Sequence, residues 1–234
     1  FILIIAFFIL FSIVKHLKIK EIVEEGIERN LGINVTINKV EFSPLLAHVW
    51  AKGVTVHNPA GFPEDELAYI KSIHLLFDPF EVIVRNKPEI YVLALDLERL
   101  NIIKDKDGKI NIKELTPVNE GFTDDRHSFY FDMLVLSVGE VTYADYSQTP
   151  KTIHKYPIGI KNATFIGLKD NDEVVKMIIY KALENTSIGK LINLTIQPVF
   201  SDISDTVDAA WGTAKSGLKG AWGIATMPFK LLFN

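Results

Sequence analysis

Six histidines, His16, His48, His57, His74, His127 and His154, are the side chains of this chain best suited to acid–base or metal chemistry near neutral pH. None forms an H-x-x-x-H or H-E-x-x-H pair, and no carboxylate cluster accompanies them. Their spacing therefore points to structural or surface roles rather than metal ligation. The segment DKDGKIN, Asp105 to Asn111, looks like the opening of a calcium loop. Such a loop closes with a bidentate Glu at its twelfth position, and here that position is Thr116. Asp107-Gly108 between two strand-like runs reads instead as a hairpin turn. Asp124-Asp125-Arg126 lies in a polar connection and reads as a solvated loop. No phosphate-cradling glycine loop, no G-x-S-x-G elbow and no Ser/His/Asp set of recognisable context is present. The expectation is a chain that is not an enzyme and uses neither metal nor cofactor.

Composition narrows the class further. The 234 residues suffice for one domain with a sizeable core or for two small ones. With 25 basic and 29 acidic residues the net charge is −4, so no strong basic field exists for nucleic acid. There is no cysteine, hence no disulfide and no thiolate site. An exported chain of this kind is held by its core and its sheet.

The elements follow from periodicity. FILIIAFFILFSIV, residues 1–14, is an uncharged apolar run, and helical spacing continues through Leu17, Ile22, Ile27 and Leu31. A signal peptide would be followed by a small-residue cleavage site, and none follows. Residues 1–31 therefore read as an uncleaved membrane anchor whose helix continues into water. Lys15, Lys18 and Lys20 after the run would place that side in the cytoplasm. Beyond it the period becomes 2. Ile33, Val35 and Ile37 alternate with polar residues; Tyr69, Ile73, Leu75 and Phe77 share a face; so do Tyr91, Leu93, Leu95 and Leu97; and so do Phe129, Phe131, Met133, Val135, Val141 and Tyr143. Pro and Gly turn signals separate these runs, which predicts an antiparallel meander over 32–168. In HNPAGFP, Asn58 can bond its own backbone, Pro59 fixes φ, and Gly61 supplies a positive φ. Phe62 is then free to plug the sheet edge.

Residues 169–234 return to helical spacing. Asn171 or Asp172 can cap a helix whose face is Val175, Ile178, Ile179, Ala182 and Leu183. In the tail, Ile203, Val207, Trp211, Leu218 and Trp222 share one side, and Phe229 follows. This amphipathic segment needs a surface: the chain's own sheet, a partner or lipid headgroups.

In order, the chain thus shows an apolar anchor, a short helix, LGINVTINKVEFSPL, GVTVHNPAGFP, IKSIHLLFDP, the KPEIYVLALD and DKDGKINI pair, and Gly139 before VTYADYS. This series resembles the AsmA-like family of bacterial envelope proteins, relatives of TamB and of groove-forming lipid-transfer proteins with a chorein-like module. The resemblance covers roughly residues 1 to 168. It implies an inner-membrane anchor, a β part in the periplasm, and a long curved antiparallel sheet whose apolar concave face cradles acyl chains. It also implies a part in phospholipid traffic or outer-membrane upkeep. The expected groove lining is Ile73, Leu75, Phe77, Leu93, Leu95, Leu97, Phe129, Phe131, Met133 and Val135. Trp211, Leu218, Trp222 and Phe229 are expected to meet a membrane or a partner, and Asn58, Pro59 and Gly61 to form a structural turn. The partners would be membrane lipids together with envelope proteins or further copies of the chain. The alternative is a non-enzymatic structural subunit of an envelope-spanning assembly, with the same fold used as a scaffold.

Overall fold

The chain forms six strands: β1 (Val35–Ser43), β2 (His48–His57), β3 (Glu66–Phe77), β4 (Glu89–Lys104), β5 (Tyr130–Asp145) and β6 (Thr152–Leu168). Of these, β1, β3, β4 and β5 carry the four alternating runs. The computed structural model describes residues 20–21, 24–25, 28, 33–43, 47–77, 89–115, 130–168 and 171–191. The apolar run 1–14, Phe129 and the tail bearing Trp211, Leu218, Trp222 and Phe229 lie outside the described residues. Among the described residues no helix is long and apolar enough to cross a membrane.

All six strands lie in one sheet in chain order. Four of the five neighbouring pairs are antiparallel, but β4 and β5 run parallel. The expected antiparallel meander is thus corrected to a mixed sheet, and the cause lies just after β4. The chain does turn at Asp107-Gly108: Gly108 has φ 84°, and Asp105 Oδ1 accepts the N–H groups of Asp107 and Lys109 at 2.9 and 2.8 Å. The returning segment, however, meets β4 at only one bridge, Lys104 with Ile110. It then curls into a 3-10 turn, Asn111–Glu114. The flank of β4 is left for β5, which enters in the same direction. Parallel neighbours require a crossover, and Ile112 and Leu115 of this one sink into the hydrophobic core.

After β6 come α1 (Asn171–Leu183) and α2 (Ser187–Leu191). Val174, Met177, Ile179, Ala182, Leu183 and Ile188 are buried in the same core as the sheet. The helix is where its period placed it, but rotated: Val174 and Met177 go deep, while Val175 and Ile178 are only partly buried. Helical residues also precede β1. From them Glu24 reaches the edge strand and accepts the N–H of Ile37 at 2.5 Å, which occupies a donor that an exposed edge would offer to another chain.

Register shifts interrupt the ladders, and two glycines show different reasons for being glycine. In β5 the pairing shifts on both sides of Val138. A Cβ on Gly139 would stand 2.6 Å from the Glu98 carbonyl oxygen of β4, so the position is closed by the neighbouring backbone. Gly61, in the β2–β3 turn, has φ 99° and open space around it, so only its conformation excludes a side chain. We expect Gly139→Ala to cost about 2–3 kcal/mol through overpacking, and Gly61→Ala about 1 kcal/mol through backbone strain. Denaturant midpoints of the two variants check the order; equal losses would mean that the β4–β5 contact yields freely.

Candidate functional site

Strand pairing converts the alternation into rows that cross the whole sheet, because directly opposed residues point to the same face. One row is Val35, Val56, Ala68, Leu100, Val141 and Tyr156. The next is Ile37, Val54, Ile70, Leu97, Val138 and Ile160. A third is Val40, Ala51, Ile73, Leu95, Leu136 and Ala163, and a fourth is Phe42, Val49, Leu75, Leu93, Leu134 and Phe165. Tyr156 carries the one polar atom among these side chains. A shorter fifth row adds Phe77, Ile90, Phe131 and Leu168. On the opposite face the corresponding rows include Thr36, Thr55, Tyr69, Arg99 and Glu140, and Lys39, Lys52, Ser72, Asp96 and Ser137.

The rows bring seven of the expected lining residues together: Ile73, Leu75, Phe77, Leu93, Leu95, Leu97 and Phe131. Met133 and Val135 are placed elsewhere. They belong to a second, smaller cluster with Val92 and Ala94, against which Leu76, Tyr91 and Ile166 pack. The cause is a change of phase. From the row of Phe131 to the row of Leu134 the chain advances three residues instead of two, and β4 does the same between Ile90 and Leu93. Strict alternation carried through such a step assigns the next residues to the wrong face. After the shift around Val138 the phase reverses again, so Val141 and Tyr143 rejoin Phe131 in the main cluster.

The apolar face is roofed unevenly. α1 packs against β5 and β6, Tyr156 Oη and Ser187 Oγ are hydrogen-bonded at 2.8 Å beside α2, and Ile112 and Leu115 enter from the crossover. Toward β1 to β3, Val35, Val40, Val56, Ile73 and Leu75 remain only partly buried.

The end of the sheet carrying the β2–β3 turn is polar and is pinned by one buried carboxamide. Asn111 is fully buried. Its Oδ1 accepts the N–H groups of Ile103 and Ile112, both at 2.9 Å. Its Nδ2 donates to the Asn101 carbonyl at 2.7 Å and to Asn58 Oδ1 at 2.8 Å. Asn58 in turn donates to the Glu64 carbonyl at 2.8 Å. The turn asparagine therefore bonds across its loop and to the crossover, rather than only to its own backbone. Glu64 continues the network by accepting from Tyr146 Oη, and Lys151 Nζ donates to the same phenol at 2.9 Å. Asp145 lies below the usual carboxylate range, chiefly because the Ser147 hydroxyl donates to it, with Lys104 assisting.

One constellation here has the outline of a nucleophile relay, and it escaped the sequence reading. His57 Nε2 is 2.8 Å from Thr36 Oγ1, and its Nδ1 is 2.8 Å from Asp65 Oδ2. The Asp65 side chain is 83% exposed, however, and Thr36 is exposed as well. A carboxylate in water is screened by solvent and holds its partner only weakly. The trio ties β1, β2 and the turn together.

Fold and site together define a mixed β-sheet protein with one apolar face partly covered by its own helices. Compared with protein-family models, curated proteins and solved structures, the chain matches none.

Replacing Asn111 by Ala strands two buried N–H donors, and we expect a loss of about 3 kcal/mol. Asn58→Ala removes one partner of the carboxamide and should cost about 1 kcal/mol. A double-mutant cycle by denaturant unfolding should show strong coupling between the two; additive losses would mean that the turn and the crossover fold independently.

Proposed function

We propose that the chain is a non-enzymatic lipid-binding module, anchored in a bacterial inner membrane with its sheet in the periplasm, that contributes to phospholipid traffic or outer-membrane upkeep. The observation that carries this reading is the set of four apolar rows running across all six strands. A face of this kind suits acyl chains because it offers contact and no unmet hydrogen bonds. The partly buried side chains of β1 to β3 supply the portion open to a ligand. The order of sequence features resembling AsmA-like proteins supports the same reading. With strands about 4.8 Å apart, six of them span roughly 24 Å from first to last. That distance suits local action at a membrane, or one module of a longer conduit.

A second reading rests on a specific contact. α1 lies on the apolar face at β5 and β6, so part of that surface is already filled by protein. A scaffold subunit of an envelope assembly would use the remainder to receive a partner helix.

Native mass spectrometry of the chain extracted in mild detergent, with lipid analysis of the released ligand, separates the two. Under the lipid reading, Ile73→Asn and Leu75→Asn each reduce bound lipid roughly tenfold, the cost of an unmet amide in an apolar site. Ile166→Asn, on the opposite face, leaves it unchanged. Lipid-free wild-type protein that elutes with a stoichiometric partner would replace the first reading by the second. Lipid retained in well-folded Ile73 and Leu75 variants would overturn the assignment of the groove.

A further inference from the structure

The face opposite the helices holds a cluster that neither reading uses. Across the sheet one row runs Glu41, Trp50, His74, Ala94, Val135 and Thr164, and beside it His48 pairs with Leu76. His48 Nε2 lies 3.3 Å from His74 Nδ1. The two rings are nearly parallel, at 7°, with centroids 5.4 Å apart. Trp50 stacks on His74 at 5.7 Å, and Lys52 Nζ stands 4.2 Å from the indole ring. His74 is only 7% exposed, and the indole N–H of Trp50 is buried without a hydrogen-bond partner among the described residues.

Two ring nitrogens this close hold one hydrogen between them, one donating and the other accepting. One added proton is still shared, because the neutral ring turns its lone pair to the charged one; protonating both rings sets N–H against N–H and places two like charges side by side. Among the described residues, Glu41 of β1 and Lys52 of β2 act on the pair, and Lys39 of β1 stands 5.9 Å from the Trp50 ring. Glu41 favours a proton on His48, while Lys52 opposes one on His74. Burial is the largest influence on both rings. It holds His48 below the ordinary imidazole value and His74 down to about 4, with the charge of His48 and then Lys52 adding to the effect on His74.

We infer that His48 and His74 form a clasp across β2 and β3, held by one shared hydrogen at neutral pH and opened when both rings are protonated. Opening loosens the two strands beside the second apolar cluster of Leu76, Val92, Ala94, Met133 and Val135. The direction follows from linkage. Both folded-state values are depressed, so the unfolded chain takes up protons first. The stabilisation is complete above about 6.5 and declines as the pH falls toward the folded value of His74.

Trp50 reports the event, because a protonated imidazole beside an indole quenches its emission. The chain has three tryptophans, so Trp211→Phe with Trp222→Phe leaves Trp50 alone in the full-length protein. From about pH 7.5 to about pH 3, its emission should fall with a midpoint at least about one unit below the ordinary imidazole value. Amide exchange in β2 and β3 should accelerate over the same range. His48→Gln should move the midpoint upward, because one of the charges opposing protonation of His74 is gone. His74→Gln should abolish the transition. A midpoint near 6.5 in the parent, an unchanged midpoint in His48→Gln, or a transition that persists in folded His74→Gln would each overturn the clasp. If His74→Gln does not fold, the parent and His48→Gln decide the matter alone.

Discussion

A fully buried carboxamide holds the polar end of this molecule in place. Asn111 makes four hydrogen bonds, to two backbone N–H groups, one carbonyl and the side chain of Asn58. Each stands in for water that folding removed, and each would be costly to leave unmade. The bonds matter because β4 and β5 are parallel. A parallel pair cannot be closed by a tight turn, so the chain must leave the sheet and return. Asn111 fixes the point of departure against β4, sets Ile112 into the core beside it, and joins the departing chain to the β2–β3 turn.

The apolar face depends on a second constraint, the phase of alternation along each strand. A β-strand exposes opposite sides with a period of two, and one added residue exchanges the sides. β4 and β5 make that exchange together at the level of Ile90 and Phe131, so their rows stay apolar across the pair. Gly139 permits the later shift in β5, because the β4 backbone leaves no room there for a Cβ. The outcome is a main face that is apolar from β1 to β6. The other face is polar along most of its length, with a small apolar cluster near the start of β5.

This division gives the two faces different physical characters. The main face can accept either hydrocarbon or a helix without leaving a hydrogen bond unmet, and α1 already occupies its β5–β6 side. The other face carries two titratable rings, His48 beside His74, with an indole stacked on His74 and a lysine over the indole. Solution conditions act on charge, so under the two proposals proton concentration addresses the second face and apolar ligands the first.

The amino-acid sequence was sufficient for much of what depends on near neighbours. Alternation showed β1, β3, β4 and β5, helical spacing showed α1, and Asn58, Pro59 and Gly61 marked a turn whose glycine does adopt a positive φ. Leu93, Leu95 and Leu97 were legible as one face because β4 alternates without interruption there. What tertiary structure alone decided was pairing. DKDGKIN turns as a hairpin should, yet its second arm does not join the sheet, and no local rule separates a returning strand from a crossover. Met133 and Val135 were assigned to the wrong face because a one-residue step leaves no mark in the sequence pattern. Asn111 with Asn58, His48 with His74, and Thr36 with His57 are 53, 26 and 21 residues apart along the chain. Their meeting is set by strand order and register, which are properties of the folded sheet. Sequence determined which residues would be dry; only the pairing of strands determined which of them would be dry together.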